Sequence, residues 1–70
     1  MIPRKGKVSN RIKELRTERS WSQGELAERV GATRQTINAI EQEKYAPTLE
    51  LAFRIARTFD VSFEEVWQFK

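Results

Sequence analysis

Apolar side chains recur along this chain at intervals of three and four residues, and no convincing alternating run marks a strand. Ile12 and Leu15 give a first helix its buried stripe; the pattern starts it near Ser9 or Asn10 and ends it by Arg19. Ser22 followed three residues later by Glu25 is a capping box, so a second helix begins there. Its inner face is Leu26, Ala27 and Val30, and Gly31 stops it, because the residue after a helix often requires positive φ. Thr33 caps a third helix with Ile37 and Ile40 inside. Pro47 disfavours helical geometry at Ala46, which separates the third helix from a fourth capped by Thr48. That fourth helix carries Leu49, Ala52, Ile55, Ala56 and Phe59. Asp60 and Val61 make a turn, and Ser62 with Glu65 is a second capping box. It opens a short last helix holding Phe63, Val66 and Trp67. The predicted fold is all-α, a compact bundle of five short helices.

Only residues 31–33 separate helices two and three, the short connection of a helix-turn-helix in which the helices cross steeply. Ala27 suits that crossing, since a small side chain lets two backbones approach. On a wheel of about 100° per residue with Ile37 inward, Gln35, Ala39 and Gln42 fall within about 40° of directly outward. Thr36 and Asn38 flank them, and Arg34 stands at the exposed first turn. Such a face suits the major groove. Gln and Asn match the adenine N6/N7 edge, Arg matches guanine O6/N7, and an Ala or Thr methyl meets the thymine methyl.

Charge is otherwise plentiful, with 13 Lys and Arg against 10 Asp and Glu and a net charge of +3. Residues 31–40 nonetheless hold one Arg and no acid. Residues 1–13 contain Arg4, Lys5, Lys7, Arg11 and Lys13 without an acid, a local +5, so the remainder sums to −2. A basic arm over residues 1–9, read as flexible, therefore precedes a domain at residues 10–70, a common layout for a phosphate-binding protein. Seventy residues make one small domain. Cysteine and histidine are both absent, which removes thiol chemistry, the commonest metal ligand and the commonest general base. Glycines at 6, 24 and 31 fit neither common phosphate-cradling pattern. No run is long enough to span a membrane and no leader peptide is evident, so a cytoplasmic, nucleoid-associated protein is expected. No enzyme activity, cofactor or metal is expected.

The run SQGELAERVGATRQTINAIEQEK resembles the helix-turn-helix of the phage repressor/Cro-type (XRE-like) transcriptional regulators. In that family a Ser-Gln opens helix two, then Glu-Leu-Ala, a glycine turn and a recognition helix ending in an apolar-Glu pair. YAPTLELAFRIARTFDVSFEEVW resembles the family's last two helices, so the resemblance covers residues 10–67. It implies a lambda-repressor-like fold that binds double-stranded DNA. By the same resemblance Gln23 grips phosphate while supporting the recognition helix, and Arg34, Gln35 and Ala39 take base-reading positions. Thr33 and Thr36 would meet phosphate or a thymine methyl, Gln42 and Lys44 would contact the backbone, and Asn38 and Tyr45 would line the edge. The resemblance also pairs Glu41 with Arg16 to orient the recognition helix. Three positions depart from the pattern: Gly24 inside a helix, Trp21 where leucine is commoner, and Glu43 where glycine often follows the recognition helix.

One module reads a short half-site, so a homodimer is expected, with Phe63, Val66, Trp67 and Phe69 as its contact. Two rival classes stay open. One is a protein-interaction module of the same fold, such as an antitoxin with a toxin partner or a bridging factor. The other is a small hydrolase, for which no nucleophile–base pair is present.

Overall fold

Ser22 and Glu25 satisfy each other's backbone N–H groups at 3.0 and 2.8 Å, and this box starts α2 (Gln23–Val30). Thr33 accepts from the Thr36 N–H to start α3 (Arg34–Glu41), and Thr48 accepts from the Leu51 N–H to start α4 (Leu49–Phe59). The computed structural model describes residues 6–69; Arg4 and Lys5 of the basic arm lie outside that span. Within it, α1 (Ile12–Glu18) precedes these three helices and α5 (Phe63–Val66) follows them.

The helix ends share one device. After each of α1 to α4 a residue with left-handed φ turns the chain, at Ser20, Gly31, Glu43 and Asp60, with φ of 58°, 76°, 61° and 60°. The next N–H then returns to a carbonyl one turn back: Trp21 to Arg16, Ala32 to Ala27, Lys44 to Ala39, and Val61 to Ala56. These bonds satisfy carbonyls that a helix otherwise leaves orphaned. Only one of the four turns uses glycine, and at the others the side chain costs roughly 1–2 kcal/mol against φ > 0.

Ile12, Leu26, Val30, Ile37, Ile40, Ile55 and Phe59 are all 0–1% exposed and form the centre of one core. Trp21 covers it from the side and stacks on Phe59 with ring centroids 5.6 Å apart. Arg29 lies over the Trp21 ring at 4.2 Å, and Arg19 lies over Phe59 at 5.1 Å. Arg19 also donates to the Leu15 and Phe59 carbonyls, joining the ends of α1 and α4.

The two ends of the described chain depart from the predicted pattern. Val8–Asn10 form β1 and Trp67–Phe69 form β2, an antiparallel pair in the register Val8 to Phe69 and Asn10 to Trp67. Ser9 and Asn10 therefore belong to a strand, and α1 begins at Ile12. Trp67 leaves the last helix for β2. Three residues a strand are too few to show a period, and the pairing joins positions far apart in sequence. The second capping box does not form. Ser62 makes no side-chain cap bond, and its backbone carbonyl takes the Glu65 N–H instead, at 3.1 Å. Val66 and Trp67, expected at a dimer contact, are 0% and 7% exposed inside the protomer, and Trp67 Nε1 donates to the Ala52 carbonyl at 3.1 Å. Of that group only Phe63, half-buried, and Phe69, 61% exposed, reach the surface.

Gly24 costs helix stability and is not required by space. A Cβ there would sit 3.8 Å from Ser22 Oγ and 4.0 Å from Arg34 Cδ, both ordinary contacts. Gly24→Ala is expected to raise stability by about 0.5–1 kcal/mol, read as a higher melting temperature. An unchanged or lower melting temperature would show that α2 needs the glycine.

Candidate nucleic-acid interface

The turn between α2 and α3 is set by Gly31, whose φ of 76° suits glycine. An added Cβ would also approach Arg54 Nη1 at 3.4 Å, the group that donates to the Val30 carbonyl at 3.0 Å. α2 and α3 pack against each other more extensively than any other helix pair. Ile37 and Ile40 point into the core, which fixes the opposite side of α3 as a surface. Arg34, Gln35, Asn38 and Gln42 are exposed there, with Thr36 and Ala39 half-exposed between them.

What holds this face in place is a polar cluster beneath it. Arg16 on α1 meets Glu41 on α3 with two bonds, Nε to Oε2 at 2.6 Å and Nη2 to Oε1 at 3.0 Å. A third guanidinium N–H donates to the Trp21 carbonyl at 2.9 Å. The two side chains are only 12% and 8% exposed. Planar two-point pairing of this kind fixes orientation as well as distance. Gln23 Nε2 donates to Glu41 Oε1 and to Asn38 Oδ1, both at 3.1 Å. Gln42 Nε2 adds a second donor to Asn38 Oδ1 at 3.2 Å. With its carbonyl taken twice, Asn38 keeps its own N–H groups as donors.

The structure thus brings Arg16, Gln23, Asn38, Glu41 and Gln42 into one cluster, and sets Arg34, Gln35 and Ala39 on the open face beside it. Thr33 and Thr36 lie at the first turn, where the Thr33 hydroxyl donates to Thr36 Oγ1 at 3.0 Å while accepting its N–H. Lys44 is exposed just past the helix, and Tyr45 is 48% exposed next to it. Glu43 pairs with Lys7 across a 3.4 Å gap, which turns the misplaced acid toward the basic arm.

Two residues of this region escape a reading by local pattern. Lys13 borders a recess of about 280 Å3 with Arg16, Gln23, Asn38, Glu41 and Gln42, adding a cation beside the outward side of α3. Its spacing three residues before Arg16 is the one local sign that the two share a side of α1. Asn10 accepts the Ile12 N–H at 3.1 Å and donates to the Ile40 carbonyl at 2.9 Å. One amide therefore supports the start of α1 and the end of α3. Nothing local marks it, because its second partner is 30 residues away.

The family model described as helix-turn-helix matches residues 12–66. An HTH-type transcriptional regulator of Archaeoglobus fulgidus is 48% identical over 62 residues, covering 89% of this chain and 87% of that protein. The HTH-type transcriptional regulator YgzD of Bacillus subtilis is 45% identical over 60 residues, covering 86% and 91%. Among solved structures, a putative DNA-binding protein from Bacteroides fragilis superposes with a TM-score of 0.77 at 26% identity, over 87% of this chain and 98% of that one. The restriction-modification controller protein C.AhdI of Aeromonas hydrophila gives a TM-score of 0.72 at 28% identity, over 77% and 78%. The lambda-repressor-like bundle, the short glycine turn and these relatives agree: the chain belongs to the helix-turn-helix family of HTH-type transcriptional regulators.

Proposed function

We propose that this regulator binds double-stranded DNA sequence-specifically, with α3 in the major groove and α2 braced across the backbone. The chain is a regulator, not an enzyme. One observation carries the reading: the exposed face of α3 is built from Arg34, Gln35, Asn38, Ala39 and Gln42, without a carboxylate, while its only acid is tied down beneath by Arg16. A solvated helix has no need of such exclusion; a helix facing phosphates does. Arg34, Gln35 and Ala39 read bases. Gln23, Gln42, Lys44 and the additional Lys13 are assigned to the phosphates that flank the groove, and Thr33 and Thr36 to a phosphate or a thymine methyl.

Titration of labelled duplex at several salt concentrations tests this. Log affinity should fall linearly with log salt, since phosphate contacts release counterions. A flat line would leave a protein-interaction module, such as an antitoxin, as the better reading. Two variants separate readers from anchors. Gln35→Ala should relax preference at one base position by about 1–3 kcal/mol. Lys44→Ala should weaken all sequences alike and reduce the salt slope by about one. Identical behaviour of the two variants would overturn that division of roles.

A homodimer fits the remaining surface. Leu49 and Phe53 lie one turn apart on α4 and are 68% and 50% exposed, and Phe63 rests on Phe53 with ring centroids 4.8 Å apart. Val8, 41% exposed and opposite Phe69 in the sheet register, shares a recess with Leu49 and Phe63. Adjoining apolar side chains left exposed in this way suit an interaction surface. A second copy covering it would give operators of two related half-sites. Sedimentation equilibrium should report a dimer, and Phe53→Glu should return it to monomer without loss of helix content. A monomer at high concentration would overturn the dimer and leave the single-site reading intact.

A further inference from the structure

Thr33, Gln35, Thr36, Ala39 and Tyr45 line an open notch of about 290 Å3 on the outward side of α3. The turn after the helix makes it. Glu43 takes φ of 61°, the Lys44 N–H returns to the Ala39 carbonyl at 2.9 Å, and the chain doubles back so that Tyr45 stands beside Ala39. Ala39 contributes one methyl to this notch. The two threonine hydroxyls are engaged with each other at 3.0 Å, and Thr33 Oγ1 also holds the Thr36 N–H at 3.1 Å. The Thr33 proton is thereby spent inside the cap, while the Thr36 hydroxyl keeps its own proton to donate. The exposed lining is mostly apolar, from methyl groups and an aromatic ring, with the Thr36 hydroxyl and the Gln35 amide as polar members.

A base edge that carried only polar groups into so apolar a notch would lose more water than the Thr36 hydroxyl and the Gln35 amide can replace. In the major groove only thymine offers an apolar group, its 5-methyl. We infer that the notch between Ala39, Thr36 and Tyr45 receives the 5-methyl group of one thymine in each half-site, with the Tyr45 ring as a specificity-determining wall. This rests on α3 being the DNA-reading helix. It gives Ala39, too short to hydrogen-bond, a role through shape, and it assigns Tyr45 to base reading rather than to the edge.

The test uses the full chain and a duplex selected by it from a random pool, with each thymine in turn replaced by deoxyuridine. Removing the methyl from the thymine in the notch should weaken binding roughly fourfold, the transfer free energy of one buried methyl or methylene group. Uracil at thymines outside the notch should matter little. Tyr45→Ala should bring the thymine-to-uracil ratio at that one position close to unity, while Tyr45→Phe keeps it, because the ring and not the hydroxyl is the wall. Indifference to every uracil in the wild-type chain overturns the notch and leaves DNA binding standing. Equal weakening of thymine and uracil duplexes by Tyr45→Ala also overturns it, because Tyr45 would then touch the backbone. Failure to select any duplex at low salt overturns the DNA reading and the notch together.

Discussion

Glu41→Ala is expected to destabilise the domain by about 3–5 kcal/mol, because it strands the Arg16 guanidinium at a site from which water is largely excluded. A chain of 70 residues has on the order of 3–10 kcal/mol to lose in total, so much of the population would unfold. The two short bonds from Arg16 to Glu41, the Gln23 amide on the same carboxylate and the near-complete burial of both charges all point to a large effect. Urea titration reads it as a lower midpoint with an unchanged slope. Replacing both partners with apolar residues, Arg16→Met with Glu41→Leu, should recover much of the stability, since no buried charge is then left alone. It should not recover DNA affinity, because α3 would have lost the two-point bond that fixes its orientation. A single variant within about 1 kcal/mol of the parent would show that the pair is solvated in solution and that something else holds α3.

Phe59→Ala should cost a similar amount, about 3–5 kcal/mol, by opening a cavity in the core. Phe59 is 1% exposed and closes α4 against the Trp21 ring, so its loss removes packing on both sides. Phe59→Leu should be milder, as most of the volume stays. The bond from Arg19 to the Phe59 backbone carbonyl survives either change, so the end of α4 keeps its anchor while the core empties. Trp21 fluorescence would report the loss of the stacked ring before the global transition. A melt within a degree or two of the parent would mean that Trp21 collapses into the vacated space.

The helices and most of their boundaries were legible because their signals are local. Ser22 with Glu25, Thr33, Thr48 and Gly31 each act within a few residues, and the spacing of Ile37 and Ile40 alone orients α3. The outward face of α3 follows from the same periodicity. What stayed hidden depends on partners far along the chain. The strands pair position 8 with position 69, Asn10 reaches the Ile40 carbonyl, and Trp67 reaches the Ala52 carbonyl. Ser62 misled for a related reason: the spacing of a capping box was present, but α5 is only four residues long and its N–H groups found a backbone partner. Of the four residues expected at a dimer contact, Val66 and Trp67 were misassigned because hydrophobicity does not say which core a side chain enters. Val66 and Trp67 turned inward, while Leu49, grouped with the apolar stripe of its helix, lies on the surface.

The pairing of β1 with β2 has a consequence during synthesis. Helices one to four are complete once Phe59 has emerged from the ribosome, yet Val66 and Trp67 still have to enter the core and the sheet cannot close until Phe69 is free. A nascent chain should therefore hold native-like helices around an unsealed core, and acquire resistance to proteases only in the later step that pairs β1 with β2.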